Sequence, residues 1–302
     1  MRTILVGSRK SKLALAQTYE VIDALLRIED HFDFSIVHLL TKGDRMKNVP
    51  LSNLGGKGVF VKEIERALLD GKIDLAVHSM KDMPTVLPDG LEIISVPKRA
   101  DARDVLISRT GASLNQLSPG TVIGTGSLRR AAQILHVRPD IKIRHLRGNV
   151  DTRLKRLANG DFDAIILAAA GLQRLGLSYQ DKLLPLSVML PAAGQGALAV
   201  ECRSADTELK TLLRKINDDD TERTVRAERA FQQKLNGSCR VPIAAFCKRL
   251  NDTTLQMNGL VSSIDGRQVL KTDRTGENPE ELGLLAAKDL LRQGAAEILE
   301  GL

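Results

Sequence analysis

Short apolar runs alternate with amphipathic stretches along most of this 302-residue chain. That alternation constrains the fold more than any other feature, because strands interleaved with helices build a sheet with helices laid on its faces. Residues 2–7, 34–40, 73–77 and 91–96 read as strands, and 11–26 and 59–69 as helices. The pattern then repeats, with strands over 121–124, 141–146 and 163–168 and helices over 128–137 and 150–159. The small-residue run 191–196 returns the chain to the first lobe, where 197–202 supplies a strand. Two α/β lobes joined by two crossovers describe a hinged cleft. After a helix over 207–216, the triplet Asp218, Asp219 and Asp220 marks a boundary. A helix over 221–235, strand patterns over 255–261 and 268–272 and a last helix over 279–299 make a small α+β domain. The expected domains are therefore 1–98 with 196–216, then 99–195, then 217–302.

In open α/β sheets, ligands bind beyond the carboxyl ends of the strands. Four such ends here carry hydroxyls and cations: Ser8 and Arg9; Ser79, Lys81 and Asp82; Ser127, Arg129 and Arg130; and Arg147. Residues 124–153 hold six arginines against two acids. Helix N-termini favour anions, and guanidinium forks hold carboxylates or phosphates at two points. Ser127 is placed to cap the helix that starts at Leu128. One reading is a site for a ligand with several negative groups; the other is a set of solvated helix faces. Asp82 is the lone acid in these clusters, either a loop ion pair or a carboxylate that moves a proton or meets a developing cation. Residues 41–58 lack periodicity and are long for a connection, which suggests a mobile lid.

The net charge of +7 favours acidic partners, but aromatics at 3% leave few platforms for nucleic-acid bases. The five histidines form no metal-ligand pattern, so no metal is expected. Cys202, Cys239 and Cys247 cannot all pair, which points to a reducing, cytoplasmic setting. Cys239 sits in a Gly-Ser turn beside Arg240, where a thiolate is favoured; a small buried residue is the alternative. Cys202 and Cys247 lie in apolar patterns. The longest apolar run, 164–172, is too short to span a bilayer, and a monomer is expected.

Ten segments in series carry a resemblance: VGSRKSKLALAQ, TKGDR, GGKGVFVKEIE, AVHSMKDMP, GTGSLRR, RGNVDTRL, DAIILAAAGLQRLG, LPAAGQGALAVECR, AERAF and GSCRVPIA. Together they resemble the porphobilinogen deaminase, or hydroxymethylbilane synthase, family over the whole chain. The resemblance implies two periplasmic-binding-protein-like α/β lobes around a cleft, plus a small α+β domain carrying the cofactor cysteine. It implies a transferase of tetrapyrrole biosynthesis that joins four porphobilinogen molecules head to tail, releasing ammonia each time, and frees hydroxymethylbilane by hydrolysis. One dipyrromethane per chain, held through a thioether, would prime the reaction. By motif, Cys239 is the attachment point and Asp82 the catalytic carboxylate. Arg9, Ser11, Lys57, Ser79, Lys81, Thr125, Ser127, Arg129, Arg130, Arg147, Gly148, Arg153 and Arg174 match the binders of cofactor and substrate. Three departures stand out: Asn53 where Lys is frequent, Gly126 where Ser is usual and Arg240 where Gln is usual. A non-catalytic binding protein for a small polyanion is the alternative, and it leaves Cys239 and Asp82 without roles.

Overall fold

A computed structural model describes residues 2–29, 31–41, 61–235 and 241–301. The chain divides into two compact units, Met1–Ala100 with Gly196–Glu222, and Asp101–Gln195 with Arg223–Leu302. The expected loop over 41–58, apart from Thr41, lies outside the described residues, as do Lys57, Asn53, Cys239 and Arg240.

The first unit holds a five-stranded sheet of β1 (Thr3–Arg9), β2 (Asp33–Leu39), β3 (Leu75–Ser79), β4 (Leu91–Ser95) and β9 (Leu198–Arg203). Its order is β2-β1-β3-β9-β4. β1 runs parallel to β2 and β3, while β9 is antiparallel to both its neighbours. Helix α1 (Lys12–Leu26) starts where the Ser11 hydroxyl accepts a hydrogen bond from Ala14 N, 3.2 Å away. Its Val21, Ile22 and Leu25 meet Ile4, Val6, Leu75, Val77, Leu198 and Val200 in one core. α6 (Thr207–Arg214) adds Leu209, Leu212 and Leu213 to that core. The other face of the sheet buries Ala76 against Ile64, Ala67 and Leu68 of α2 (Lys62–Leu69). Period-two alternation along β3 and β9 thus serves two different cores.

The second unit contains two sheets. The first has order β5-β8-β6-β7 and is built from β5 (Asp104–Ser108), β6 (Val122–Gly124), β7 (Lys142–Arg144) and β8 (Ala164–Ala168). Three of its strands are parallel, and β5 is the antiparallel edge. Helices α3 (Leu128–Val137), α4 (Val150–Ala158) and α5 (Ala169–Arg174) follow β6, β7 and β8 in turn. The C-terminal sheet, β10 (Ile243–Arg249), β11 (Leu255–Ser262) and β12 (Val269–Gly276), is an antiparallel meander. Phe231 of α7 (Asp219–Lys234) and Leu282, Ala286 and Leu290 of α8 (Pro279–Arg292) cover it.

The aspartate triplet stands beside the division at Glu222: Asp218 accepts from Thr221 N at 2.8 Å, and Asp219 and Asp220 lie in the first turn of α7, where the helix dipole favours acids. Two expectations need correction. The last helix is two, because Gly294 takes φ 97° and separates α8 from α9 (Ala295–Glu300). The strand expected over 73–77 runs instead over Leu75–Ser79, which carries Ser79 out to the strand end.

Candidate active site

In the first unit, the pairs Val6–Leu75 and Gly7–Ala76 set β1 and β3 in register, so they end side by side at Arg9 and Ser79. Gln17 of α1 donates to Ser79 Oγ at 2.8 Å, which fixes that hydroxyl. Lys81 and Asp82 occupy a single 3-10 turn, Met80–Asp82, that leaves β3 directly. Met80 and Met83 are 2% and 5% exposed, so buried thioethers clamp the turn on both sides while Lys81 and Asp82 stay half-buried. Met80 N also donates to Ala197 O at 3.0 Å. The acid is therefore placed by the burial of its neighbours.

In the second unit, Thr125 N donates to Arg144 O and Leu146 N to Thr125 O, prolonging the β6–β7 pairing past both strands. Residues 125–127 and 145–147 therefore run alongside each other. Ser127 caps α3 by accepting from Arg130 N, and its own N–H donates to Thr125 Oγ1 at 3.2 Å. Gly126 has a steric reason: a Cβ there would stand 2.8 Å from Leu146 O and 3.4 Å from His145 Cε1. Gly148 takes φ 114°, and Arg153 Nε donates to its carbonyl at 2.7 Å. Arg174 lies in the last turn of α5, beyond β8. Arg147 Nη1 is buried and has no hydrogen-bond partner among the described residues. Burial, then Arg147 and Arg153, push the exposed His145 imidazole below its usual range.

Arg129 and Arg130 sit deeper than a helix-start position suggests, at 5% and 6% exposure. Both engage Asp104, the fully buried first residue of β5. Arg129 Nη1 donates to Asp104 Oδ2 at 2.8 Å and to Leu190 O at 2.7 Å. Arg130 donates through Nε and Nη2 to Asp104 Oδ1 at 3.0 and 2.7 Å, and through Nη1 to Ile166 O. Gln195 adds a further bond to Oδ1 at 3.0 Å. Burial alone would raise the Asp104 carboxyl, but the two guanidinium groups hold it well below the usual carboxylate range. Two permanent cations thus surround one anion. Sequence reasoning missed Asp104 and Gln195; the one local signal was an acid heading an apolar strand.

Cys202 and Cys247 are buried, and burial followed by Asp206 and Glu92 pushes the Cys202 thiol up to about 12. Among the described residues, no group of His, Cys, Asp and Glu could hold a metal ion, and no helix is long and apolar enough to cross a membrane.

Residues 4–211 match the family model described as porphobilinogen deaminase, dipyromethane cofactor binding domain, and residues 222–292 match the porphobilinogen deaminase C-terminal domain. The chain is 53% identical to the porphobilinogen deaminase of Bacillus cereus (strain G9842) over 303 residues, covering 99% of this chain and 97% of that protein. It is 53% identical to that of Geobacillus kaustophilus (strain HTA426) over 302 residues, with the same coverage. Among solved structures, a putative methionine-binding lipoprotein from Bacillus subtilis aligns at TM-score 0.44 and 12% identity, over 71% of this chain and 89% of that one. With both family models matched in order and relatives aligned over nearly their whole length, the chain belongs to the porphobilinogen deaminase family.

Proposed function

We propose that this chain is a hydroxymethylbilane synthase, joining four porphobilinogen molecules head to tail with loss of ammonia and releasing the linear tetrapyrrole by hydrolysis. The observation that carries the reading is the turn after β3, which holds one acid, Asp82, beside Lys81 and next to the β1 end with Arg9. Porphobilinogen bears an acetate and a propionate, so a growing chain gathers negative charge and needs cations along its length. Arg9, Lys81, Arg147, Arg153 and Arg174 are the side chains assigned to those carboxylates, with Ser11, Ser79, Thr125, Ser127 and the Gly148 backbone alongside. Lys57, outside the described residues, is assigned with them. Arg129 and Arg130 are assigned to the same ligand, with Asp104 fixing their orientation. Asp82 gives a proton to the leaving amine and, once ionised, faces the positive charge left on the substrate ring.

The residues present suit a dipyrromethane. Its carboxylates would meet the buried Nη1 of Arg147, which has no protein partner among the described residues, and a cluster that already buries two guanidinium groups around one carboxylate. When bound, that cofactor supplies the nucleophilic pyrrole carbon that starts the chain. Cys239, also outside the described residues, is the attachment point that the family motif assigns; Cys202 and Cys247 are buried. The proposal includes the three-domain division at 98/99, 195/196 and 216/217, a monomer, and a cytoplasmic setting that keeps the thiols reduced.

Intact-mass analysis of protein made with a porphobilinogen supply tests the attachment. The expected gain is two pyrrole units, mapped to the Cys239 peptide and absent from Cys239→Ser. An adduct on Cys202 or Cys247 overturns the assignment. For the acid, Asp82→Asn should load cofactor but lose about 10²–10⁴-fold in single-turnover rate. A rate near wild type removes Asp82 from the mechanism.

A further inference from the structure

Three ionisable side chains lie buried in the first unit with no part in that chemistry. Ala76 pairs with Glu201 and His78 with Ala199 across β3 and β9. Alternation puts His78 and Glu201 on the sheet face covered by α2, which contributes Glu65. Their exposures are 6% for Glu65, 6% for His78 and zero for Glu201. His78 Nε2 lies 3.0 Å from Glu201 Oε2, and in the tautomer with a proton on Nε2 the ring donates to that oxygen. The other oxygen, Glu201 Oε1, is buried and has no hydrogen-bond partner among the described residues, and neither has Glu65 Oε1. Two carboxylates buried with one imidazole leave an excess of negative charge and a shortage of donors. A single proton held on one acid relieves both: it removes a charge and creates an O–H.

We propose that Glu65 is a neutral carboxylic acid donating its O–H to Glu201, and that the resulting Glu65–Glu201–His78 chain positions the end of β3 that presents Ser79, Lys81 and Asp82. Glu65 rather than Glu201 takes the proton because Glu201 already accepts from His78. Burial and then the Glu201 charge raise the Glu65 carboxyl, against opposing pulls from His78 on β3 and Lys62 on α2. Glu63 and the exposed Arg66 are the remaining charged groups on that helix. His78 precedes Ser79 directly, so the relay is anchored beside the turn that carries Asp82. All three are positioning residues, and none touches substrate. The positioning half rests on the assignment of Asp82, whereas the protonation half does not.

The test compares cofactor-loaded wild type with Glu65→Gln and Glu65→Leu. Infrared spectra near neutral pH should show the carbonyl band of a buried protonated carboxyl in wild type and lack it in Glu65→Gln. The glutamine amide donates to Glu201 as the acid does, so kcat should stay within about twofold, whereas Glu65→Leu leaves Glu201 Oε1 without a donor and lowers kcat about tenfold, with KM little changed. Wild-type kcat should fall at alkaline pH as Glu65 ionises, and Glu65→Gln should lack that limb. A missing band, or one that survives in Glu65→Gln, overturns the protonation. Equal losses of kcat in Gln and Leu, or an alkaline limb kept in Gln, overturn the positioning role. If Glu65→Leu does not fold, the band and the glutamine pH profile decide alone. A fully active Asp82→Asn would sink the catalytic assignment and leave the infrared result standing.

Discussion

The second unit buries two guanidinium groups around one carboxylate, and the first buries two carboxylates beside one imidazole. The clusters have opposite excess charge and resolve it differently. Arginine does not give up its proton, so proton exchange with solvent does not balance the cation-rich cluster. A carboxylate can take a proton from solvent, so the acid-rich cluster can neutralise itself. In the function proposed above, the first arrangement serves a polycarboxylate, and in the further inference the second braces the end of a strand.

The largest way to break this contrast is Asp104→Ala. It leaves Arg129 and Arg130 buried without their anion and should cost about 3–5 kcal/mol, read as a lower denaturant midpoint for the second unit. An unchanged midpoint would mean that the two arginines draw their balance elsewhere. Arg147→Leu should act on binding instead of folding, because Nη1 has no protein partner to lose among the described residues. We expect binding of pyrrole carboxylates to weaken by about 1.5–3 kcal/mol, visible in native mass spectra as incomplete loading or a truncated ladder of bound pyrroles. A wild-type ladder would remove Arg147 from the cationic edge.

The subtlest difference is in pH. Asp104 is depressed, so its stabilisation is complete above the unfolded carboxylate value of about 3.9 and is lost as pH falls through the folded value. Glu65 is raised, so its stabilisation is complete below its unfolded value of about 4.3 and is lost as pH rises through the folded value. Denaturant midpoints across pH should therefore show Glu65→Gln removing the decline that begins above about 4.3 and ends at the folded value, and leaving the fall below about 4.3 unchanged. Flattening on the acid side would reverse the assignment of signs.

Much of this was legible locally. Ser11, Ser127 and the cations after each strand could be placed because caps and strand ends leave short-range marks. The partner of Arg129 and Arg130 was not legible, since Asp104 lies on an antiparallel edge strand whose place in the sheet no local pattern records. For the same reason Glu65, His78 and Glu201 were not seen as a group: they meet only when β9 enters the first sheet. Strand β10 went unnoticed because IAAFCKR is small and apolar over most of its length, which masks a period of two. The break at Gly294 was hidden by apolar spacing that continues across it.

The position of β9 also bears on how the protein is made. It fills the gap between β3 and β4, yet it is encoded after the entire 101–195 segment. At a synthesis rate of about 5–20 residues per second, the nascent first sheet waits several seconds with two unpaired strand edges showing. Such edges invite pairing with other chains. The first sheet can therefore close only after the whole 101–195 segment has been made, which sets a minimum delay on its completion.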